Sequence, residues 1–436
     1  MNLKDLREPS ININNVSQTA IQSSSNLPTK QQVNKKRKYI YVFVILSLIL
    51  ILIITAFALN QVYSFTNKFR FDDLPSADVV NPDPTITSTP KPILIPNPIN
   101  GIMISESEYN TLAKRPFLAV MIQNNIAARP PSGLNEADIV YETLVESNIT
   151  RFMPVYWSKD AERLQSLRSA RHYFVNLLGD YNNPAYMHIG FAYCVPTEKC
   201  DTRVDSLVLM NKYSIRRLSD SMNSVTKELS FSRDKNCEKI KASEHCAYTS
   251  TNRLWTIAEQ EKWTNDLSKY KSWTFVDAPR NDGQKLTQFL VHFKNFGANF
   301  DPNYSVIWKY DEEKNVYLRF NQNGTPYNDS NGIQISASTV IYQKVKSSPT
   351  GDDKGHQYQE VIGSGTGYVM QGGKVYPITW NKPDFSTKTV FTDPMTNKNF
   401  EFQRGKMWVL VVPNGYDYID QTPKPTISPT QSDSSM

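Results

Sequence analysis

Two arginines, Arg168 and Arg171, lie in a segment whose apolar residues recur with helical spacing. The segment runs from Ala161 to Leu178, and its apolar stripe consists of Leu164, Leu167, Phe174 and Leu178. Both arginines fall within this stripe, and an unpaired buried charge is strongly destabilising. The alternative is a helix that begins at Ser169 as its N-cap, which places the arginines beside free backbone N–H groups. Either arrangement calls for an anionic partner.

The partner of these two arginines has two interpretations. In the first, internal carboxylates such as Glu142 and Glu146 pair with them and the cluster is structural. In the second, they bind a phosphate, sulfate or carboxylate group of a ligand, because guanidinium groups bind such groups through paired hydrogen bonds. The ligand-binding interpretation adds three further candidates to the site, which are Arg151, Arg129 and Asn124.

Candidate catalytic residues are Glu142, Glu146 and His188. The two glutamates are four residues apart, so on one strand their side chains point the same way at a separation of roughly 13 Å. That is too far apart for a hydrolytic carboxylate pair unless another segment contributes. A metal would need more ligands, with His188 before Gly190 as the first choice, and we predict neither a metal nor a cofactor. An envelope hydrolase or transferase acting on a phosphodiester or glycan is therefore the alternative function.

The four cysteines form two close pairs, Cys194 with Cys200 and Cys237 with Cys246. Five and eight intervening residues match no tight zinc-binding spacing. Four cysteines allow three connectivities, and an extracytoplasmic location favours disulfides between the neighbours. We expect those two bridges to be structural.

An uncharged stretch precedes all of these residues. Tyr39 to Leu59 contains no charge, proline or glycine and follows Lys35-Lys36-Arg37-Lys38. As one helix it spans a hydrocarbon core of roughly 30 Å, and the basic cluster keeps the N-terminus in the cytoplasm. A cleaved signal peptide fits less well because no Ala-x-Ala site follows, and no cysteine near the stretch offers a site for lipid. The sequence predicts a single-pass protein of the cell membrane whose bulk is extracytoplasmic.

The net charge follows from this topology. Up to Lys38, seven basic residues stand against Asp5 and Glu8, which gives +5 of the total of +6. The remainder carries only about +1 (6 − 5). The basic balance therefore gives no reason to expect nucleic-acid binding.

The order of segments predicts six parts. They are a disordered cytoplasmic tail at 1–38, the membrane helix at 39–59, a Pro-rich stalk at 60–100, an α/β-type domain at 101–267, a β-rich domain at 268–415 and a disordered tail at 416–436. The fold class is α+β.

Apolar runs locate the elements of the two domains. The first domain has strand candidates at Phe117–Ile122, Ile139–Val145 and Arg151–Trp157, and a second helix candidate at Ser250–Trp263. In the second domain, strand candidates recur at Phe289–Phe293, Ser305–Tyr310, Val316–Phe320, Val340–Val345, Gly367–Met370, Thr389–Thr392 and Trp408–Val412. Turn signals such as Asn323-Gly324 and Gly372-Gly373 separate several of them.

Several ordered motifs resemble the YerB-like lipoproteins, a family of bacterial envelope proteins built around a domain of unknown function. The motifs are Asn97-Pro98-Ile99-Asn100-Gly101, Arg115-Pro116-Phe117, Ala128-Arg129-Pro130-Pro131, Ala137-Asp138-Ile139-Val140-Tyr141-Glu142, Arg168-Ser169-Ala170-Arg171, and later Arg319 with Asp329 and Gly405 with Trp408. The chain departs from the family at Gln123 and Asn125, where the family has Asp and His, and in its membrane helix, which replaces a lipidated cysteine. The resemblance implies an envelope location and a two-domain layout, and it brings no established activity.

Together these features predict a membrane-anchored extracytoplasmic protein that binds an anionic envelope polymer or an envelope protein. The β-rich domain would add contacts or a partner surface. A third possibility is a scaffold for a membrane protein complex, with the tail before Lys38 as its cytoplasmic contact. The sequence does not predict the oligomeric state.

Overall fold

A computed structural model of the protein describes residues 92–195, 198–219, 230–294 and 300–424, together with Thr55. The predicted cytoplasmic tail, the membrane helix apart from Thr55, and the stalk before residue 92 lie outside the described residues, as does the tail after residue 424. Within the described ranges, no helix has the length and apolar character needed to cross a membrane.

The helices that the structure describes are short and the strands are many. The α-helices are α1 (Glu106–Leu112), α2 (His172–Leu177), α3 (Ser206–Lys212) and α4 (Thr251–Gln260). The 3₁₀ turns are Ile126–Ala128, Glu146–Asn148, Leu178–Tyr181, Thr202–Val204, Cys237–Lys239, Ser243–His245 and Pro302–Tyr304. The strands are β1 (Leu94–Pro96), β2 (Met103–Ser105), β3 (Leu118–Val120), β4 (Ile122–Gln123), β5 (Ile139–Leu144), β6 (Thr150–Tyr156), β7 (Leu164–Gln165), β8 (Ala185–His188), β9 (Arg216–Ser219), β10 (Ser232–Arg233), β11 (Ala247–Thr249), β12 (Thr274–Val276), β13 (Gln284–Lys285), β14 (Gln288–Val291), β15 (Val306–Asp311), β16 (Val316–Asn321), β17 (Ser336–Ala337), β18 (Thr339–Pro349), β19 (Gln357–Glu360), β20 (Gly363–Gln371), β21 (Lys374–Lys382), β22 (Val390–Asp393), β23 (Lys398–Asn399), β24 (Glu401–Gln403), β25 (Met407–Pro413) and β26 (Ile419–Asp420).

One large mixed sheet dominates the described part of the chain. Its main order is β23-β22-β21-β20-β18-β25-β5-β6-β3-β8-β9, with β13, β19 and β4 paired at its sides. The pairs β18–β25, β25–β5, β3–β8 and β8–β9 are parallel, and the other neighbours along this path are antiparallel. A second sheet has the order β17-β16-β15-β14-β26. The α+β prediction is confirmed, although the protein is more β-rich than expected.

The parallel pairing of β25 with β5 joins strands from both predicted domains in this sheet. Trp408 in β25 is opposite Val140 in β5, and Leu410 is opposite Glu142. The boundary near residue 267 stays a prediction, but the residues on its two sides build one hydrogen-bonded surface. Side chains of the two segments therefore meet over much of the fold.

Both faces of the large sheet are buried, and side chains alternate between two apolar clusters. On one face, Val140 and Leu144 of β5 pack in the cluster that includes α4 and the five-stranded sheet. On the other face, Ile139 and Tyr141 pack in the cluster that includes α2. Glu142 has the same parity as Val140 and therefore points toward the five-stranded sheet.

The predicted strands are confirmed, but the helix predicted from Ala161 to Leu178 is wrong. Residues before His172 are extended, and α2 begins only at His172 with Arg171 as its N-cap residue. The alternative start at Ser169 is therefore wrong as well. Helix α4 agrees with the prediction, and the side chain of its N-cap, Ser250, accepts a hydrogen bond from the Arg253 N–H at 3.2 Å.

Both predicted disulfides are present. Cys194 is bonded to Cys200 and Cys237 to Cys246, with Cα atoms 5.5 Å and 5.6 Å apart. Each bridge closes a short surface loop. Glu244 lies in the second loop.

Candidate functional site

Three of the predicted ligand-binding arginines line one pocket of about 350 Å³, which we call the arginine pocket. Its charged residues are Arg151, Arg168, Arg171 and Glu146. Arg151 lies near the start of β6, and Glu146 opens the 3₁₀ turn that follows β5. The pocket therefore gathers residues from the β5–β6 connection and from the extended segment before α2.

Backbone hydrogen bonds fix the segment that carries Arg168 and Arg171. The N–H of Arg168 donates to the carbonyl of Met121, and its carbonyl accepts from the N–H of Ile189, both at 3.0 Å. The N–H of Ala170 donates to the carbonyl of Gly190, also at 3.0 Å. The segment thus lies between the end of β3 and the end of β8, as an extra extended strand would. This tertiary pairing, rather than a helix, presents both guanidinium groups to the pocket.

Arg171 and Glu146 form a two-pronged ion pair. Arg171 Nε donates to Glu146 Oε1 and Nη2 donates to Oε2, each at 2.6 Å, which is the strong geometry for this pair. Burial by itself would raise the pKa of Glu146, but the Arg171 guanidinium, with help from Arg151, lowers that pKa to about 2. Glu146 is therefore ionised at neutral pH and neutralises Arg171.

The charge of Arg151 is less well compensated than that of Arg171. It is buried, and its Nη1 donates to the carbonyl of Ser169 at 2.7 Å, while its Nε has no hydrogen-bond partner among the described residues. Burial and the neighbouring Arg171 lower the pKa of Arg151 to about 9, although Glu146 opposes them. A buried guanidinium in this position would gain from a further anion.

Arg168 lies at the open side of the pocket. Its Nη2 is 2.8 Å from Glu244 Oε1, and the two side chains are 29% and 56% exposed. Glu244 is held by its neighbours, because Gln123 Nε2 donates to the Glu244 carbonyl at 3.1 Å. The pocket and its rim thus combine three guanidinium groups with two carboxylates. The carboxylate at the rim, that of Glu244, is largely in solvent.

The low pKa of Glu146 implies that the protein loses stability in acid. The ordinary pKa of this carboxyl is 4.5 and its folded value is about 2, so the stabilisation is present above pH 4.5 and is lost as the pH falls towards 2. A difference of this size corresponds to about 3 kcal/mol of unfolding free energy. Glu146→Gln should remove that part of the pH dependence, as measured by chemical denaturation at pH 5 and pH 2.5. Glu360→Gln, at a mostly exposed ion pair with Lys346, is the matched control and should titrate as wild type does; equal acid sensitivity in all three proteins would contradict the assignment.

Arg129 and Asn124 do not line the arginine pocket. Arg129 Nε donates to Asn124 Oδ1 at 2.9 Å, and Asn124 Nδ2 donates to Thr150 Oγ1 at 2.6 Å. Arg129 also faces a separate open depression of about 550 Å³ beside Asn303, whose carbonyl it contacts at 2.8 Å. The structure thus separates these two predicted residues from the three arginines of the pocket.

Glu142 belongs to a buried ion pair with Arg319. Its Oε1 accepts from Arg319 Nη2 at 2.7 Å and from Thr150 Oγ1 at 2.9 Å, and its Oε2 accepts from Trp408 Nε1 at 3.0 Å. The Glu142 side chain is 0% exposed. It does not pair with Arg168 or Arg171 as the structural interpretation suggested.

His188 is the remaining catalytic candidate. It ends β8, is fully buried, and its Nδ1 is 2.9 Å from the Gly190 carbonyl. Of Glu142, Glu146 and His188, only Glu146 lines the arginine pocket. The arginine pocket therefore does not bring the three candidates together.

Two contributors to the site were missed in the sequence. Glu244 is 76 positions from Arg168, and it lies in the loop that the Cys237–Cys246 bridge closes. His356 comes from the β18–β19 connection, where its Nε2 is 3.9 Å from Glu146 Oε1 and its Nδ1 is 2.6 Å from Asp352 Oδ2. No local pattern in the sequence marks either contact, because both depend on distant segments meeting.

Comparison with known proteins is consistent with this fold. A model described as "Protein of unknown function (DUF3048) N-terminal domain" matches residues 103–264, and its C-terminal counterpart matches residues 296–409. "Putative lipoprotein YerB" of Bacillus subtilis (strain 168) is 26% identical over 319 residues, which is 73% of this chain and 86% of the relative. The crystal structure of YerB protein from Bacillus subtilis superposes with a TM-score of 0.57 at 23% identity, over 73% of this chain and 97% of that one, and so shares the fold.

The two matched ranges follow one another in the chain as N-terminal and C-terminal parts. Strand β5 lies within the first range and β25 begins within the second, so the pairing of these strands joins the two parts. The motif residues Asp138, Glu142 and Trp408 lie in or beside these strands. This chain belongs to the YerB-like family, whose two domains are described as being of unknown function.

Proposed function

We propose that this protein is a membrane-anchored, extracytoplasmic protein of the bacterial cell envelope that binds an anionic group in the arginine pocket. The observation that carries the proposal is the convergence of Arg151, Arg168 and Arg171 on one cavity of about 350 Å³. The ligand is an anionic envelope polymer or an acidic segment of an envelope protein. Its phosphate or carboxylate group would complete the charge balance of the pocket.

Arg151 gives the strongest physical support for an anion. A buried guanidinium is stabilised when an anion and additional hydrogen-bond acceptors surround it. Glu146 already accepts two hydrogen bonds from Arg171, so it serves Arg151 only through the longer-range attraction between their charges. An oxyanion that enters from the side of Arg168 would supply Arg151 with the acceptor that the described residues do not provide.

The location in the envelope is supported by two independent features. The stretch Tyr39 to Leu59 has the length and composition of a membrane helix, and the basic run before it favours a cytoplasmic N-terminus. The relative from Bacillus subtilis carries the name of a lipoprotein, which is a protein fastened to a membrane by other means. Both features support a position of the domain beside the outer face of a membrane.

Binding is favoured over hydrolysis because the candidate acids have other partners. Glu142 is committed to Arg319, Thr150 and Trp408, and Glu146 to Arg171. A carboxylate whose folded pKa is about 2 is poorly suited to act as a general acid at neutral pH. The arrangement suits the retention of an anion better than the cleavage of one.

The proposal predicts that Arg168→Ala weakens anion binding with little change in stability. Arg168 is partly exposed and its partner Glu244 is mostly in solvent, so the loss of this ion pair should change the unfolding free energy by less than about 1 kcal/mol. Loss of a charge-assisted hydrogen bond to the ligand should lower the affinity about tenfold. Affinity is measured by calorimetry on the purified full-length protein in detergent, with polyphosphate and poly-L-glutamate as probes and dextran as the neutral reference.

Arg203→Ala is the matched control, because Arg203 is also a partly exposed arginine in an ion pair, here with Asp201. It should bind both probes as wild type does. A preference for one probe would distinguish phosphate from carboxylate as the bound group. Failure of wild type to bind either probe more tightly than dextran, or an equal loss in Arg168→Ala and Arg203→Ala, would reject the pocket as an anion site.

A further inference from the structure

A third cavity, of about 400 Å³, contains a lysine in an unusual setting, and we call it the lysine pocket. Its walls come from the end of the 3₁₀ turn Leu178–Tyr181, from the segment before and into β12, and from the loop between β21 and β22. None of its lining residues lines the arginine pocket. Lys388, from the β21–β22 loop, lies in its wall.

Aromatic rings surround the amino group of Lys388. Its Nζ is 3.7 Å from the ring centroid of Trp273, 4.3 Å from that of Tyr270 and 5.5 Å from that of Tyr181. The same nitrogen donates a hydrogen bond to Tyr270 Oη and contacts the carbonyl of Asp180 at 3.4 Å. Lys388 is partly buried among these rings, and it lines the cavity.

Lys388 shares its surroundings with a second lysine, Lys382, which takes the nearest carboxylate. Lys382 Nζ is 2.7 Å from Asp180 Oδ1, and both side chains are almost completely buried. The same carboxylate also accepts from the N–H and the hydroxyl of Thr389 at 2.9 Å. One carboxylate thus faces two amino groups, and the direct ion pair belongs to Lys382.

The burial of Lys388 and the two neighbouring charges together set its pKa. Burial lowers the pKa of Lys388 to about 7; Asp180 opposes that change, and the ammonium of Lys382 reinforces it. Burial also raises the pKa of Tyr270 well above its usual value, so the phenol keeps its proton at neutral pH. A lysine beside another cation in a desolvated pocket is a general way to obtain a nucleophilic amine.

We propose that Lys388 is a reactive amine that condenses with the carbonyl group of a small hydroxyaldehyde or hydroxyketone in the lysine pocket, with Tyr270 moving the proton. The pocket adds polar groups suited to the hydroxyls of such a ligand, in Asn182, Ser272 and Thr387. Its aromatic wall would pack against the carbon chain. This assignment is independent of the arginine pocket.

The condensation needs no oxidant or reductant. The Nζ lone pair attacks the carbonyl carbon, the C=O π electrons move to oxygen, and that oxygen takes the phenol proton of Tyr270. The nitrogen loses a proton to the phenolate, which restores Tyr270. The nitrogen lone pair then forms the C=N bond as the hydroxyl takes the phenol proton of Tyr270 again and leaves as water. The iminium nitrogen gives its remaining proton to the phenolate, so that amine and carbonyl give imine and one water.

The experiment traps the imine on the full-length protein in detergent. Glyceraldehyde and cyanoborohydride are added at pH 7, and peptide mapping by mass spectrometry gives the rate of reductive alkylation at each lysine. Lys269 is the internal reference, since it lines the same pocket, is exposed, and has its pKa raised by Asp266. Because an ordinary lysine is almost entirely protonated at pH 7, Lys388 should be alkylated at least about tenfold faster than Lys269.

Two variants test the role of Tyr270. Tyr270→Phe should slow the alkylation of Lys388 at least about tenfold, since it removes the proton donor, whereas Lys235→Arg, at an exposed lysine outside the pocket, should leave that rate unchanged. Thermal unfolding checks that Tyr270→Phe is folded. The comparison of Lys388 with Lys269 in the wild-type protein does not depend on any variant. Alkylation of Lys388 no faster than that of Lys269 would overturn the proposal, and an unchanged rate in Tyr270→Phe would remove Tyr270 from it.

Discussion

Replacing Glu142 by glutamine should lower the free energy of unfolding by about 3–5 kcal/mol, because it leaves the Arg319 guanidinium buried without its counter-ion. The two side chains are 0% and 3% exposed and are 2.7 Å apart. Arg319 also lies 4.1 Å from the ring centroid of Tyr327, and those aromatic contacts cannot replace a full negative charge. Chemical denaturation followed by tryptophan fluorescence measures the loss.

Two further variants make this prediction specific to the buried pair. Lys314→Ala removes an exposed ion pair with Asp311 and should change the unfolding free energy by less than about 1 kcal/mol. Glu142→Met combined with Arg319→Met removes both charges, and it should recover part of the stability that Glu142→Gln loses. A Glu142→Gln protein as stable as Lys314→Ala would mean that Arg319 finds another anion.

The Glu142–Arg319 pair also explains why the sequence could not predict the whole site. Its two residues are 177 positions apart, and they meet because β5 packs under the sheet that contains β16. The sequence signals on which the strands and the disulfides were predicted are local, and those predictions hold. Contacts that depend on two sheets meeting, such as this pair or Glu244 beside Arg168, leave no local pattern.

The helix prediction from Ala161 to Leu178 is wrong for a similar reason. Leu164 and Leu167 are buried because β7 pairs with β11 and because Leu167 bridges to Ile122, whereas Phe174 is buried by the short helix α2. The apparent stripe therefore combined residues of two different local structures whose spacing happened to fit one helix. The inference that a buried arginine needs an anionic partner holds for Arg171, which pairs with Glu146, whereas Arg168 is partly exposed and its partner Glu244 is mostly in solvent.

The motifs that carry the family resemblance have a structural explanation in most cases. Asp329 accepts hydrogen bonds from the N–H groups of Gly133 and Asn135 at 3.1 and 3.2 Å, and Glu142 pairs with Arg319. These motif residues connect segments of the chain that are far apart in sequence. The motif Arg168-Ser169-Ala170-Arg171 differs, because both of its arginines face a cavity. It is the motif on which the proposed anion site rests.

Asp138 is the centre of the other large polar network, and its replacement by alanine should be at least as damaging as Glu142→Gln. Its carboxylate accepts from Asn97 Nδ2 at 3.0 Å, from Asn100 Nδ2 at 2.6 Å and from the Trp157 N–H at 2.7 Å. It also accepts from the N–H of Ser158 at 3.0 Å and from the hydroxyl of that residue. One side chain thus holds the Asn97–Gly101 motif against β5 and the end of β6.

Asp138→Ala should lower the free energy of unfolding by about 3–9 kcal/mol, since each of the three buried donors left without an acceptor, on Asn97, Asn100 and Trp157, costs about 1–3 kcal/mol. Asp138→Asn keeps one acceptor oxygen and should fall between alanine and wild type. Asp160→Ala is the matched control, because Asp160 is 66% exposed and pairs only with Arg115 among the described ion pairs. The denaturation midpoints of Asp138→Ala, Asp138→Asn and Asp160→Ala give their order of stability. A loss in Asp138→Ala no greater than in Asp160→Ala would mean that water satisfies the abandoned donors and that the first motif is held by its apolar contacts.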